Sequence, residues 1–370
     1  MKHVKHTRLR RPDFGFFHRC EWAILGTNCS DIQFLSTQLS RALTPAKVAY
    51  VDASHTSGSE ADTSPFHTIY TQHKTYLELK IPPIAELVHD RIAYLESVDL
   101  VFINGNHFEG KSQILILDPE KESSLKKRLH RLTDVQMIIK KHPDYWPDFL
   151  SKSLSNSNPI PQLDWADFSS INRVFKQLYS AKIPPVYGLV LAGGRSTRMG
   201  FDKGKISIQG KDARIRLYEM LEAKTDKTFL SIRQDQKDEL QGYPVLTDRF
   251  VGLGPFGAIL TAFQAYPDAA WLVLATDLMG LSSSAIQLLI HERNPAAVAT
   301  AFLNVETGFP DPLATIWEPK AQERLMSFLR QGYSCPRKVL INSDVHLLEP
   351  QSDKWLTNYN TPEDLSGLNL

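Results

Sequence analysis

The chain has 370 residues, 42% hydrophobic and 22% charged, with a formal net charge of +1. That length implies two domains with cores of ordinary size, and the near-zero charge excludes a global field for nucleic acid or an anionic membrane. Three distant cysteines exclude a disulfide scaffold or a Cys-x-x-Cys zinc site and suit a reducing cytoplasm, while no apolar run approaches the roughly 18 residues of a membrane span.

The basic start (Lys2, Lys5, Arg8, Arg10, Arg11) has no apolar stretch behind it and reads as a solvated tail rather than a secretory signal. From Glu21 the pattern becomes strand, glycine, helix. Trp22 to Leu25 is a short apolar run and Gly26-Thr27-Asn28-Cys29-Ser30-Asp31 a loop, with Ile32, Leu35, Leu39 and Leu43 at helical spacing after it. Val48 to Val51 is a second strand, closed by Asp52. Thr56 to Ser64 is a polar, Ser/Gly-rich loop, and Pro83 to Leu95 a helix. Strands follow at Val98 to Gly105 and Gln113 to Leu117, then a helical stretch at Leu125 to Leu132 and a final short strand at Val135 to Ile139. Residues 18–150 thus form a first α/β domain.

Residues 151–185 read as a connection. Ser151 to Pro159 has linker composition, Trp165 to Ala181 forms one amphipathic helix, and Pro184-Pro185 stops it. Val186 to Leu191 is then a buried strand that breaks at Ala192-Gly193-Gly194 and continues with Arg195, Arg198, Lys203 and Lys205. Adjacent glycines let a backbone turn sharply and face phosphate oxygens with its N–H groups, and the basic residues add positive charge. The spacing is neither a Walker A loop nor a dinucleotide fingerprint.

Beyond it, Ile215, Tyr218 and Leu221 mark a helix; strands follow at Thr228 to Ile232, Pro244 to Asp248 and Ala270 to Thr276. This alternation predicts a doubly wound, mostly parallel sheet over 186–370, with ligands at the carboxyl ends of its strands. Gly194, Arg233, Asp248 and Asp277 all fall at such ends. Asp277, emerging after an apolar strand, suits a hard-oxygen ligand for Mg²⁺; its bland alternative is a helix cap before Ser282.

The string from Leu191 through Ala192-Gly193-Gly194 to Arg198 and Lys203 resembles nucleotidyltransferases with a Rossmann-like fold, and within them the molybdenum cofactor guanylyltransferases of the MobA family. The resemblance runs to Asn358-Tyr359-Asn360-Thr361-Pro362-Glu363-Asp364-Leu365. It implies GTP, Mg²⁺ and molybdopterin, the pterin phosphate attacking the α-phosphate with release of pyrophosphate. It also implies nucleotide-binding roles for Leu191, Ala192, Gly193, Gly194, Lys203, Arg233, Asp248 and Asp277, catalytic roles for Arg198 and Lys203 in charge balance and for Asp277 in holding the metal, and acceptor-side roles for Pro310, Asn358 and Asn360. Departures are Arg233 near a usual Asn, and Phe309 for the His beside Pro310. A CTP or sugar-phosphate version of the chemistry, and a catalytically silent module of cofactor assembly, are the alternatives. Molybdoenzymes or other assembly proteins are further partners on this reading.

The first domain is similar in element order, and in its strand ending at Asn104-Gly105, to the MobB family of P-loop GTP-binding proteins. It lacks the loop lysine, has Asp31 instead, and carries Asn104 where that family carries an acidic residue. A phosphate loop without its cation is expected not to hydrolyse GTP.

Overall fold

The computed structural model describes residues 20–53, 69–72, 77–80, 95, 97–154, 159–193, 207–208 and 211–357. The expected loop at Thr56 to Ser64 and the expected helix at Pro83 to Leu95, except for Leu95, lie outside these residues. The chain divides into two compact units, Met1–Ala181 and Lys182–Leu370.

In the first unit, β1 (Cys20–Leu25) leads to α1 (Cys29–Ala42) and β2 (Val48–Val51); β3 (Ile69–Gln72) and β4 (Leu77–Lys80) form a separate antiparallel pair. Next come β5 (Leu100–Asn104), β6 (Ser112–Leu117), α2 (Glu122–Lys126), β7 (Val135–Lys140), α3 (Leu150–Ser153), β8 (Gln162–Asp164) and α4 (Phe168–Ser180). The main sheet has the order β2-β5-β1-β6-β7-β8, and every pairing in it is parallel. Its central strands are apolar without alternation, as a sheet covered on both faces requires: Ile24, Phe102 and Ile116 pack on one side, Leu25, Leu115 and Leu117 on the other.

The segment read as a connection contributes to this unit. Gln162–Asp164 extends the sheet as a sixth strand, so Val135–Lys140 is not the last, and α4 buries Ile171 and Phe175 in the same core as Trp22 and Phe102. The apolar stripe of α4 needs a sheet face to cover, and a solvated linker offers none. Leu125 to Leu132 also differs, being broken into α2 and a single turn at Leu129–Arg131.

The second unit begins with β9 (Val186–Leu191), then β10 (Ser207–Ile208), β11 (Lys211–Asp212), α5 (Ala213–Glu222), β12 (Lys227–Ile232), β13 (Val245–Thr247) and α6 (Pro255–Ala265). It continues with β14 (Ala270–Ala275), α7 (Ser283–His291), β15 (Ala299–Asn304), β16 (Phe309–Trp317), α8 (Ala321–Arg330), α9 (Pro336–Ile341) and β17 (Val345–Leu348). The seven-stranded order is β13-β12-β9-β14-β16-β15-β17. Strand alternation splits its core into two layers: Val190, Leu272 and Leu274 face one, Leu189, Trp271 and Val273 the other. The sheet is mostly parallel, and β16 runs antiparallel to both β14 and β15. Among the described residues no helix is long and apolar enough to cross a membrane.

Candidate functional site

In the second unit the chain order reverses at β9, which has β12 on one side and β14 on the other. At such a switch point of a doubly wound sheet, loops leaving neighbouring strands generally diverge and leave room for a ligand at the carboxyl edge. Register brings the predicted residues to one level. Leu191 pairs with Ser231 and with Ala275, so Gly193, Arg233 and Asp277 each lie two residues past a shared row. Ile232 pairs with Thr247, which sets Asp248 level with Arg233.

Side-chain geometry tightens this row. A Cβ on Gly193 would stand 3.4 Å from both the Arg233 amide nitrogen and Asp248 Oδ2, so the glycine leaves only contact distance to them. Arg233 donates from its guanidinium to the Gly193 carbonyl (2.7 Å) and to the Asp235 carboxylate (3.0 Å). Gln236, 2% exposed, donates to the Ala192 carbonyl (3.2 Å) and accepts from the Arg233 amide (3.0 Å). The turn after β9 is therefore gripped by its carbonyls. The Ala192 amide is tied as well, donating to the Ser231 carbonyl (2.9 Å), so the start of the turn is fixed through both sides of its backbone.

Asp248 is the electrostatic outlier of the row. Burial pushes its carboxyl above the usual range, against the opposing pull of the Ser231 hydroxyl, which donates to Oδ1 (2.6 Å), and of the Arg233 charge. A carboxylate kept out of water with so little compensation is poised for a donor-bearing ligand. Asp277 follows β14 and is half-buried. Three residues on, Gly280 has the Lys354 carbonyl oxygen 2.2 Å from where a Cβ would sit, so the segment ahead of Asn358 is laid directly against the loop after Asp277. Pro310 is buried near the start of β16, which runs antiparallel to β14 and so begins at this same edge. Asp311 beside it is 3% exposed, and burial raises its carboxyl against the amide of Leu313 and the charge of Arg337.

Gly193, Arg233, Asp248 and Asp277 come together, then, beside Leu191 and Ala192; Pro310 is at the same edge. Gly194, Arg198, Lys203, Asn358 and Asn360 lie outside the described residues. Ser231, Gln236 and Asp311 escaped the sequence reading. Ser231 hides inside an apolar strand, and Gln236 sits in a polar turn (Gln234–Leu240) indistinguishable by composition from a solvated one. Phe256, in the first turn of α6, is fully buried in the core. Among the described residues no group of three His, Cys, Asp or Glu side chains is close enough to hold a metal. Of the carboxylates at this edge, Asp248 accepts from Ser231, and Asp277 as a single protein ligand fits a magnesium ion completed by substrate phosphates and water rather than a closed protein cage.

In the first unit the corresponding loop, Gly26 to Asp31, is already charge-satisfied. Lys141, just past β7, pairs with Asp31 Oδ2 (2.5 Å) and Asp118 Oδ2 (2.8 Å). Thr27 donates to both carboxylates, and Asn28 both donates to Asp31 and caps α1. An anion entering this loop would meet two carboxylates and a committed lysine.

The MobA-like NTP transferase domain family matches residues 188–346. The molybdenum cofactor biosynthesis bifunctional protein of Synechocystis is 38% identical over 187 residues, which cover 50% of this chain and 54% of that protein. The chain thus spans about half the length of that relative. A probable molybdenum cofactor guanylyltransferase of Synechococcus elongatus is 34% identical over 191 residues, covering 49% of this chain and 97% of the relative. A crystal structure of molybdopterin-guanine dinucleotide biosynthesis protein A from Archaeoglobus fulgidus aligns with a TM-score of 0.42 at 20% identity, over 49% of this chain and 95% of that one.

Proposed function

This chain belongs to the MobA-like NTP transferase family, and on that premise we propose that its second unit transfers GMP from GTP to the terminal phosphate of molybdopterin, releasing pyrophosphate. The observation that supports this best is the level row of Gly193, Arg233, Asp248 and Asp277 at the switch point of the sheet. The names of the relatives supply the nucleotide and the acceptor.

In this mechanism the triphosphate lies over the turn after β9. Arg233 and Gln236 hold the carbonyls of Gly193 and Ala192, and the Ala192 amide is bonded to the Ser231 carbonyl, so the turn need not reorganise during the reaction. Asp248 accepts from the nucleoside, a contact that offsets its buried charge. Arg198 and Lys203 balance charge on the phosphates and the departing pyrophosphate. Asp277 would hold Mg²⁺, which when bound neutralises charge on the phosphoryl oxygens. The attacking group is the pterin phosphate, so no protein nucleophile is required; Pro310, Asn358 and Asn360 border the acceptor side. The surroundings that suit this work are cytoplasmic, where disulfides between protein cysteines are rare.

The test is pyrophosphate release from GTP, ATP, CTP and UTP with Mg²⁺ and molybdopterin, with Lys203→Ala as control. GTP-selective release that needs the pterin and is lost in the variant is the expected result. Release with another nucleotide or acceptor keeps the reaction type and discards this substrate pair. No release with any pair, despite nucleotide binding, leaves a silent binding module.

A further inference from the structure

The first unit has its own carboxyl edge, and a second group of side chains meets there that nucleotidyl transfer does not use. Cys29 opens α1, behind its cap Asn28, where the first-turn amides of a helix favour negative charge. Its Sγ lies 3.4 Å from His107 Nε2. The same nitrogen is 3.8 Å from Asp52 Oδ1. Asp52 accepts from Tyr50 Oη (2.7 Å), Asn104 Nδ2 (2.9 Å) and its neighbouring Ala53 amide (2.7 Å). Burial pushes the Asp52 carboxyl up, but these hydrogen bonds and His107 outweigh it and hold the group below the usual range. It is an anion at neutral pH.

The three groups follow three neighbouring strands, Asp52 after β2, His107 after β5 and Cys29 after β1, in the order β2-β5-β1. The edge of a parallel sheet has assembled a thiol, a base and a carboxylate from residues far apart in sequence. A structural cysteine packs in apolar company and is inert. Cys29 is instead half-buried, with polar neighbours. A metal is a poor occupant, since among the described residues no trio of ligands is close enough.

We propose that Cys29 is a nucleophilic thiol, activated by His107, that takes up a small thiol by exchange with a low-molecular-weight disulfide. The Sγ proton passes to His107 Nε2, and the thiolate attacks one sulfur of the disulfide. The S–S bond breaks with its electron pair on the leaving sulfur, which takes the proton back from His107. The products are a mixed disulfide at Cys29 and one released thiol, with no outside oxidant. Asp52 steadies the imidazolium formed in between.

Other groups facing the thiol act in both directions. Tyr50 stays protonated, its hydroxyl pushed up by burial, by its bond to Asp52 and by the Asp52 and Cys29 charges. The Asp31 carboxylate, two residues along α1, opposes a thiolate but is engaged by Lys141, Thr27 and Asn28. The helix start and the His107 proton favour it.

The test incubates the full chain with oxidised glutathione from pH 6 to 8.5 and follows each cysteine by peptide mass spectrometry. Cys335, exposed and just before α9, is the reference within the same molecule. At pH 7 the adduct at Cys29 is expected to form at least about tenfold faster than at Cys335, as an activated thiol should. His107→Ala should remove that advantage and leave Cys335 unchanged. Reaction at Cys29 no faster than at Cys335 in the unmutated protein overturns the proposal, and so does an advantage that survives in His107→Ala.

Discussion

Both units end the first strand of a parallel sheet in a glycine turn, and they treat the charge at that turn in opposite ways. After β1 the loop is closed on itself: Asp31 and Asp118 share the ammonium of Lys141, with Thr27 and Asn28 taking up further acceptor positions. After β9 the turn is gripped from behind by Arg233 and Gln236, while Asp248 is left with its carboxyl pushed up by burial. The first turn has spent the charges of Asp31, Asp118 and Lys141 on its own stability. The second keeps a charge in an unfavourable state that a ligand can relieve, which is the usual condition of a working site. On the proposed function, topology alone does not make a nucleotide site; what separates the two turns is whether charge is balanced inside the protein or by a substrate.

The largest effect is expected at Asp277. Asp277→Asn keeps the size of the side chain and removes the charge that would hold the metal. Turnover in the pyrophosphate assay should fall by at least about a hundredfold, with thermal stability little changed. Turnover near the unmutated rate would sink the metal assignment and much of the contrast with the first unit.

The next effect concerns stability. Lys141→Ala leaves the Asp118 carboxylate, 4% exposed, without its cation. The expected cost is about 1–3 kcal/mol, below that of a fully buried pair because Lys141 and Asp31 are partly solvated. Calorimetry should show this loss in the first unit alone. The sign with pH follows. Burial raises the Asp118 carboxyl, but Lys141, Thr27 and the Glu120 amide outweigh it and depress the group. Its stabilisation is therefore present above the unfolded carboxylate value and lost as pH falls through the depressed one. Lys141 is raised in spite of burial by Asp118 and Asp31, so its share is present below the unfolded lysine value and lost as pH rises through the raised one. Lys141→Ala should flatten both flanks of the first unit's stability profile. It should not create GTP binding there, since two carboxylates remain in the loop; a second saturable GTP site in Lys141→Ala, absent from the unmutated protein, would break the comparison.

Asp248→Asn should do the reverse of Lys141→Ala. Burial raises this carboxyl, so its proton is held more tightly in the folded state and the charged form is a burden at neutral pH. The amide can still accept from Ser231, and stability at pH 7 should rise by up to about 1 kcal/mol. That gain should vanish at acid pH, where the unmutated carboxyl is protonated both folded and unfolded. Nucleotide affinity should fall over the same substitution. A variant that is less stable and binds equally well would show Asp248 to be structural.

Much of this contrast was legible in the sequence, and for definable reasons. Apolar runs such as Ala270 to Ala275 announce buried strands, and a polar residue one or two positions after each, Arg233, Asp248 and Asp277, falls at a carboxyl end because strand length is short and regular. The missing lysine of the Gly26 to Asp31 loop was equally plain. What was not legible came from partners distant in the chain. Lys141 reaches a residue 110 positions earlier, and nothing in its neighbourhood distinguishes it from Lys140. Ser231 and Asp248 meet only because β12 and β13 pair in one particular register. The β15–β16 hairpin was missed because Gly308 and its polar neighbours signal a turn without telling which sheet the returning strand joins.

The smallest change sharpens the comparison most, because it adds one methyl group and no charge. A Cβ on Gly193 would sit at ordinary contact distance, 3.4 Å, from the Arg233 amide nitrogen and Asp248 Oδ2, and 3.5 Å from the Ile232 carbonyl carbon. Nothing must move to admit it, and alanine also restricts the unfolded chain. Gly193→Ala should therefore keep stability within about 0.5 kcal/mol. The methyl nevertheless stands between the turn and Asp248, in space a bound nucleotide would use. If the turn after β9 is a ligand cradle, KM for GTP should rise several-fold, roughly 3 to 10, with kcat nearly unchanged, as loss of uniform binding requires. Unchanged kinetics would mean the nucleotide does not approach Gly193, and the grip of Arg233 and Gln236 on its neighbours would then serve the fold alone.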